Sequence, residues 1–197
     1  MPQESPGAAR TRSGPATRER ILQAANELFY AEGIRATSAD RIIAQAGITK
    51  VTFYRHFPSK SDLVVAYLDQ QAAAERAWFS STRQAGDANG SLRALAEGIG
   101  AASCSPGFRG CAFINAAAEF SDTEDPVRTA VENHRKWMLG EFEGIAKDAG
   151  TADPAAASRQ LMMLRDGAMV NGYLGEAASV ADSLSAAFGA VISGSDH

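Results

Sequence analysis

Cysteine is nearly absent from this chain of 197 residues, which carries only Cys104 and Cys111. Two thiols make no disulfide framework, and without a C-x-x-C pair there is no sulfur-based zinc site. His56, His134 and His197 are scattered, so no metal cluster can be read from their spacing. No run approaches the roughly 18 consecutive apolar residues that a membrane span needs. The first 16 residues place Arg10 and Arg12 among Pro, Gly, Ser and Ala, with no apolar core of a signal peptide, so a cytoplasmic location is expected. Catalytic signatures are missing too: there is no phosphate loop, no H-E-x-x-H and no G-x-S-x-G. No nucleophile stands in a recognisable setting. The expectation is no catalytic residue, no metal and no cofactor, and an enzyme or helical small-molecule carrier is the disfavoured reading.

What the chain does contain is enough apolar material for a core. Hydrophobic residues make up 45% and charged residues 21%, the balance of a globular protein rather than a disordered one. The net charge of −4 hides an asymmetry, because residues 1–63 sum to +3 and residues 64–197 to −7. A basic front on an acidic body suits a protein that offers one end to a polyanion. The same acidic body argues against a non-specific architectural DNA binder.

Periodicity predicts an all-α chain. Residues 1–16 read as a flexible basic arm. Thr17 is expected to cap a first helix to Glu32, with Ile21, Leu22, Ala25, Leu28 and Phe29 on one face. Gly33 ends it. The run Thr37-Ser38-Ala39-Asp40 reads as a capping box opening a short helix to about Ala46, which Gly47 breaks. A third helix spans about Thr49–Phe57, and Ser59-Lys60-Ser61-Asp62 is a second capping box opening a long helix to about Gln84. Gly86, Asp87, Asn89 and Gly90 read as a loop. Further helices are expected over about Ser91–Ser103, Cys111–Phe120, Asp125–Asp148, Asp153–Leu174 and Val180–Ile192. The chain reads as an arm over 1–16, a compact helical unit over 17–62, and a larger helical body over 63–197.

Helix, glycine turn and short helix form the helix-turn-helix pattern, whose second helix enters the major groove. Ile48, Phe53 and Phe57 should face inward against Leu28, Phe29, Ile42 and Ile43. Lys50, Thr52, Tyr54 and Arg55 should face out, with His56 near the end. Hydroxyls and cations are what phosphate and base-edge contacts require, and no acidic residue occurs from Gly47 to Ser61.

From Arg20 to Leu68 the chain resembles the DNA-binding domain of the TetR/AcrR family of repressors. The shared pattern includes Ala25, Leu28, Phe29, Gly33, Thr37, Ile42, Ala46, Gly47, Tyr54, His56, Phe57 and Lys60. The likeness covers about a quarter of the chain; beyond it only size, helical character and a local likeness around "RGCAFINAAAEF" remain. It implies a ligand-responsive transcription regulator, a repressor released from a palindromic operator by an unknown small molecule. By the same resemblance, Thr37 would cap the second helix and touch a phosphate. Thr49 and Lys50 stand where base and phosphate readers stand, Val51 offers a methyl contact to thymine, and Thr52 a base or phosphate contact. Tyr54, His56 and Lys60 match backbone-anchoring positions, and Arg55 is a further phosphate candidate.

One such helix buries only about 600–1,000 Å² on DNA, so two about 34 Å apart are expected, hence a homodimer. The last two helices could supply the contact through Leu161, Leu164, Ala168 and Gly172, and through Leu184, Ala187, Phe188 and Val191. On the opposite face of the penultimate helix, Met162, Asp166, Met169 and Tyr173 suggest an adaptable pocket around one carboxylate. His134, on a stripe with Val127, Val131, Met138 and Phe142, reads as a core histidine before a ligand contact. Asn115 and Glu119 are further polar candidates, and Trp78, Phe108, Phe113 and Trp137 candidate walls. An alternative is a thiol-redox sensor using Cys104 and Cys111, with Arg109 activating the latter.

Overall fold

The computed structural model describes residues 14–194 and shows helices joined by short turns. They are α1 (Gly14–Glu32), α2 (Ala39–Ala46), α3 (Lys50–His56), α4 (Lys60–Thr82), α5 (Ala88–Ser103), α6 (Ala112–Glu119), α7 (Pro126–Asp148), α8 (Pro154–Leu174) and α9 (Val180–Ser193). The expected arm falls, up to residue 13, outside the described residues. Residues 14–16 are already helical, so Thr17 does not cap α1 but lies buried within it. Pro15 explains the earlier start, since proline in a first turn has its fixed φ suited and no amide hydrogen to leave unpaired.

The turn between α2 and α3 is set by Gly47, whose φ of 62° is left-handed and open to glycine without penalty. Its N–H reaches the Ala44 carbonyl at 3.1 Å, and Ile48 N–H reaches Ile43 at 3.2 Å. Arg20 on α1 donates to the Ala46 and Gly47 carbonyls, tying α2's end to α1. Phe53 and Phe57 then turn inward onto a core with Ile21, Leu28, Phe29 and Ile42. Phe29 stands edge-on to Tyr67 of α4 at 5.6 Å. Thus α4 is packed into the N-terminal unit at one end and into the C-terminal bundle along the rest.

The Ser59–Asp62 capping box is present, with Asp62 N–H on Ser59 Oγ at 3.1 Å and Ser59 N–H on Asp62 Oδ2 at 2.9 Å. The expected loop at Gly86–Gly90 is shorter than its composition suggested. Asp87 caps α5 by accepting the Gly90 N–H at 2.7 Å, so the helix begins at Ala88. A capping carboxylate outweighs the cost of one glycine in a first turn.

α5 to α9 form the second bundle, with α5 on α9 and α7 on α8 the most extensive pairings. The expected interface stripes are mostly core: Leu161, Ala168, Gly172, Leu184 and Phe188 are buried within the protomer, and Leu164, Ala187 and Val191 are half-buried. The exposed apolar stripe of α8 is the adjacent one, Met163 (67% exposed), Val170 (44%) and Leu174 (72%). The helix is apolar on more than one side, so periodicity alone could not choose between its faces.

Gly100 marks the closest approach of α5 to α9. A Cβ there would lie 2.6 Å from the Ala181 Cβ and 3.0 Å from its backbone, whereas one at Gly140 on α7 would meet nothing within 4 Å. Gly100→Ala is therefore expected to destabilise by about 1–3 kcal/mol through overpacking. Gly140→Ala should stabilise by about 0.5–1 kcal/mol through helix propensity. Urea unfolding of both variants checks the contrast; equal effects would show that the α5–α9 approach is not tight.

Candidate DNA interface and effector cavity

The helix-turn-helix leaves α3 facing outward. Thr49 caps it, accepting the Thr52 N–H at 3.2 Å, and the two hydroxyls meet at 2.9 Å. Lys50, Val51, Tyr54 and Arg55 are exposed, Val51 to 79%. Tyr54 is braced by its edge contact with Phe53 at 5.2 Å, which fixes the ring while leaving it 42% exposed. Lys50 Nζ lies 3.7 Å from Asp40 Oδ1 of α2. Both groups are exposed, so this pair is worth little and is easily exchanged for another anion. His56 is half-buried, and its Nε2 has no hydrogen-bond partner among the described residues. Lys60 is half-buried in the first turn of α4. Burial lowers its pKa, while Glu119 acts in the opposite sense.

Behind this surface lies a cavity of about 470 Å³. Its walls come from α1 (Asn26, Tyr30), α4 (Gln71, Ala74, Glu75, Trp78), α5, the α5–α6 loop (Phe108, Gly110), the start of α6 (Cys111, Ala112, Phe113) and α8 (Arg165, Met169). One buried polar chain crosses it. Glu75 Oε1 accepts from Arg165 Nη2 at 2.6 Å, and its Oε2 lies 2.5 Å from His134 Nε2. Arg165 also contacts Asp166 at 3.2 Å, and Asp166 accepts from Arg135 at 2.7 Å. Burial alone would raise the Glu75 pKa, but the contact with His134 and the charge of Arg165 outweigh it and hold the carboxyl below the usual glutamate range. Burial would likewise lower the Arg165 pKa, and Cys111, Glu75 and Asp166 around it reverse that.

The cavity touches the DNA-binding unit directly. Tyr30 Oη donates to the Gly110 carbonyl at 2.9 Å and accepts the Arg109 N–H at 3.0 Å. Burial raises the Tyr30 pKa, keeping the hydroxyl protonated as this bonding requires. Arg109 donates to the Ala31 carbonyl at the end of α1. Glu119, at the end of α6, accepts the N–H groups of Ile34 at 2.9 Å and Arg35 at 2.6 Å.

An outward-facing second helix on a helix-turn-helix, above an all-helical body with an internal cavity, is matched by known proteins. Residues 21–67 match the family described as "Bacterial regulatory proteins, tetR family", and residues 88–179 match "Tetracyclin repressor-like, C-terminal domain". The solved structure of SCO4454, a TetR-family transcriptional regulator from Streptomyces coelicolor, is similar at 42% identity. It covers 92% of this chain and 96% of that one with a TM-score of 0.86. The chain belongs to the TetR family. LmrA of Bacillus subtilis, an HTH-type transcriptional regulator, is 28% identical over 71% of this chain and 76% of that protein. TtgR of Pseudomonas putida is 42% identical over 27% of this chain and 25% of that one. This TetR-family protein is a DNA-binding transcription regulator and not an enzyme. No helix among the described residues is long and apolar enough to cross a membrane.

Within this regulator Thr37 needs correcting. Its hydroxyl is fully buried and donates to the Gly33 carbonyl at 2.8 Å, sealing the end of α1. Ser38 caps α2 instead, accepting the Arg41 N–H at 3.3 Å. The capping reading was one residue early because both positions carry a hydroxyl. A hydroxyl with no exposure cannot reach a phosphate, so Thr37 leaves the DNA-contact set.

The pocket candidates scatter. Phe108, Phe113 and Met169 line the main cavity. Asn115, Glu119 and Tyr173 line a second of about 190 Å³ beside α1. Asn115 is spent on the Arg109 carbonyl at 2.9 Å, and Tyr173 faces the Arg109 guanidinium at 5.5 Å. His134 stacks behind Phe113 at 3.6 Å and 4°, in the core as its apolar stripe indicated. Met162 is buried. Trp137 packs on Phe79 at a surface groove, where its Nε1 donates to Glu141 at 3.0 Å. Asp166 lies in another surface groove with Arg135. Trp78 does wall the cavity. Sequence reasoning missed Asn26, Tyr30, Gln71, Glu75 and Arg165; a polar residue on an otherwise inward helix face was the available signal for Gln71, which follows Val64, Tyr67 and Leu68 at helical spacing. Both thiols are free, Cys104 exposed and Cys111 buried, and the cation engaging Cys111 is Arg165, while Arg109 is drawn to α1.

Because folding holds the Glu75 carboxyl below its unfolded pKa of about 4.3, its stabilisation is present above that pH and drains away as pH falls further. Glu75→Gln should cost about 2 kcal/mol at pH 7, less than the roughly 3–5 kcal/mol of a fully sealed pair, because Glu75 keeps 23% side-chain exposure. It should also flatten the acid limb of a stability–pH curve measured by urea denaturation. Parallel limbs would mean that Glu75 titrates alike folded and unfolded.

Proposed function

We propose that this regulator is a homodimeric, cytoplasmic repressor that holds a palindromic operator through α3 and releases it when a small molecule fills the cavity shared by α1 and α4. The observation that carries this reading is that shared wall. Asn26 and Tyr30 belong to the helix on which the helix-turn-helix is built, and Gln71, Glu75 and Trp78 to the helix that α3 leads into. A molecule wedged between them acts on both supports of α3 at once, and a change in their separation resets the spacing of two recognition helices.

In this scheme the DNA-binding unit spans residues 17–62, and 63–197 hold the partner and, together with Asn26 and Tyr30 of α1, the ligand. Thr49, Lys50, Val51 and Thr52 meet base edges, with Val51 offering methyl contact to thymine. Tyr54, Arg55, His56 and Lys60 anchor phosphates. The dimer forms on Met163, Val170 and Leu174 of α8 with the small exposed residues Ser183, Ala186 and Ala190 of α9, which allow close approach.

Gel-shift titrations against DNA flanking the gene test the reading. Binding should weaken steeply with salt. Lys50→Ala should change base preference, costing about 1–3 kcal/mol on the best site, while Lys60→Ala should weaken all sequences about equally. No retention of such DNA at low salt would overturn the reading, and identical behaviour of the two variants would overturn the split of roles.

A second reading, thiol sensing, is favoured by one observation: Cys111 lines the cavity beside Arg165. It requires that Cys111→Ser abolish release of DNA by oxidant; normal release by that variant removes it.

A further inference from the structure

Resting on the effector reading above, we infer that the cavity selects a neutral, flat aromatic molecule that hydrogen-bonds at one end, and rejects aromatic cations and anions of the same shape.

The walls divide by chemistry. Trp78, Phe108, Phe113, Ile99 and Met169 supply an apolar, largely aromatic sheath. The polar end is formed where α1 meets α4. There Gln71 Nε2 donates to Asn26 Oδ1 at 3.1 Å. That bond leaves the two Asn26 amide N–H groups and the Gln71 amide oxygen without a partner among the described residues. The Trp78 indole N–H is a further donor without a partner among the described residues. Tyr30 is already engaged on both sides, at 2.9 and 3.0 Å. A hydroxyl or carbonyl on the ligand can therefore be matched at this end.

The charges argue against an ion. The cavity shows one carboxylate and one guanidinium, Glu75 and Arg165, and they are bonded to each other at 2.6 Å. Glu75 keeps its second oxygen against His134, and Arg165 turns its other nitrogen to Asp166. An ammonium entering here finds its acid already paired, and a carboxylate finds its guanidinium already paired. Each would give up bulk water without gaining a free counter-ion, which is costly. Uncharged aromatic surface has no such penalty and gains from burial. The volume of about 470 Å³ suits a molecule of two or more fused rings.

Three probes of one shape separate the possibilities: 2-naphthol, 2-naphthoate and 2-naphthylmethylamine, titrated calorimetrically into the full chain at pH 7. The expected result is that 2-naphthol binds at least tenfold tighter than either ion, and that Trp78→Ala weakens it at least tenfold. Glu75→Gln, which removes the charge facing Arg165 Nη2 and leaves Asp166 on Nη1, should narrow the gap between 2-naphthoate and 2-naphthol at least threefold. Preference of the unmodified protein for either ion, or silence of all three probes, overturns the inference, and neither depends on any variant folding. Those outcomes leave the repressor reading standing if the protein still retains operator DNA. Loss of DNA retention with the predicted probe ranking intact would sink only that reading.

Discussion

The clasp around the end of α1 is the constraint on which the molecule depends. A three-helix DNA-binding unit of this size buries too little surface to hold a fixed pose by itself. Beyond its packing on α4 through Phe29 and Tyr67, its pose is held by Tyr30, locked between Arg109 and Gly110, and by Glu119 gathering the amides of Ile34 and Arg35. These bonds run from the α5–α6 loop and the end of α6 to the last turn of α1 and the turn beyond it. The same loop forms part of the cavity wall through Phe108 and Gly110. The surface that orients the DNA-binding unit and the surface that faces the cavity are thus two sides of one short segment.

The ion pair between Glu75 and Arg165 makes sense in that setting. A buried pair is a poor way to add stability, because desolvation consumes most of its attraction. It is an effective way to impose geometry, since a charge left unpaired in such a place is strongly disfavoured. Arg165 comes from α8 and Glu75 from α4, so their bond fixes the long helix under the DNA-binding unit against the helix whose opposite side is exposed and apolar. His134 from α7 and Asp166 extend the bond into a chain reaching Arg135 near the surface.

The helix-turn-helix was legible because its determinants are local. Gly47 at a left-handed turn, Thr49 and Ser59 as caps, and the inward phenylalanines all act within a few residues of themselves, and the family likeness covered the same stretch. The cavity was not legible because it is assembled from five helices and a loop, and no periodicity reports which helix will stand opposite which. Asp166 and Tyr173 share the sequence face of Met162 and Met169, yet Asp166 turns to Arg135 and Tyr173 to Arg109. Glu119 looked like a ligand contact for want of a visible partner; its partners are backbone amides some 85 positions earlier. Thr37 shows the limit of motif reading at single-residue scale, since two adjacent hydroxyls fit the same cap.

Under the proposed effector scheme, Tyr30 and Asn26 are at once cavity wall and DNA-unit scaffold, and occupancy of one side is felt by the other. Thermodynamic linkage makes this reciprocal: whatever factor a cavity ligand takes from operator affinity, the operator takes from ligand affinity. Chromosomal DNA is then a competitor for the small molecule. The concentration at which a cell responds would rise with the number of sites the protein occupies, so the number of operators in a genome becomes part of the calibration of the sensor.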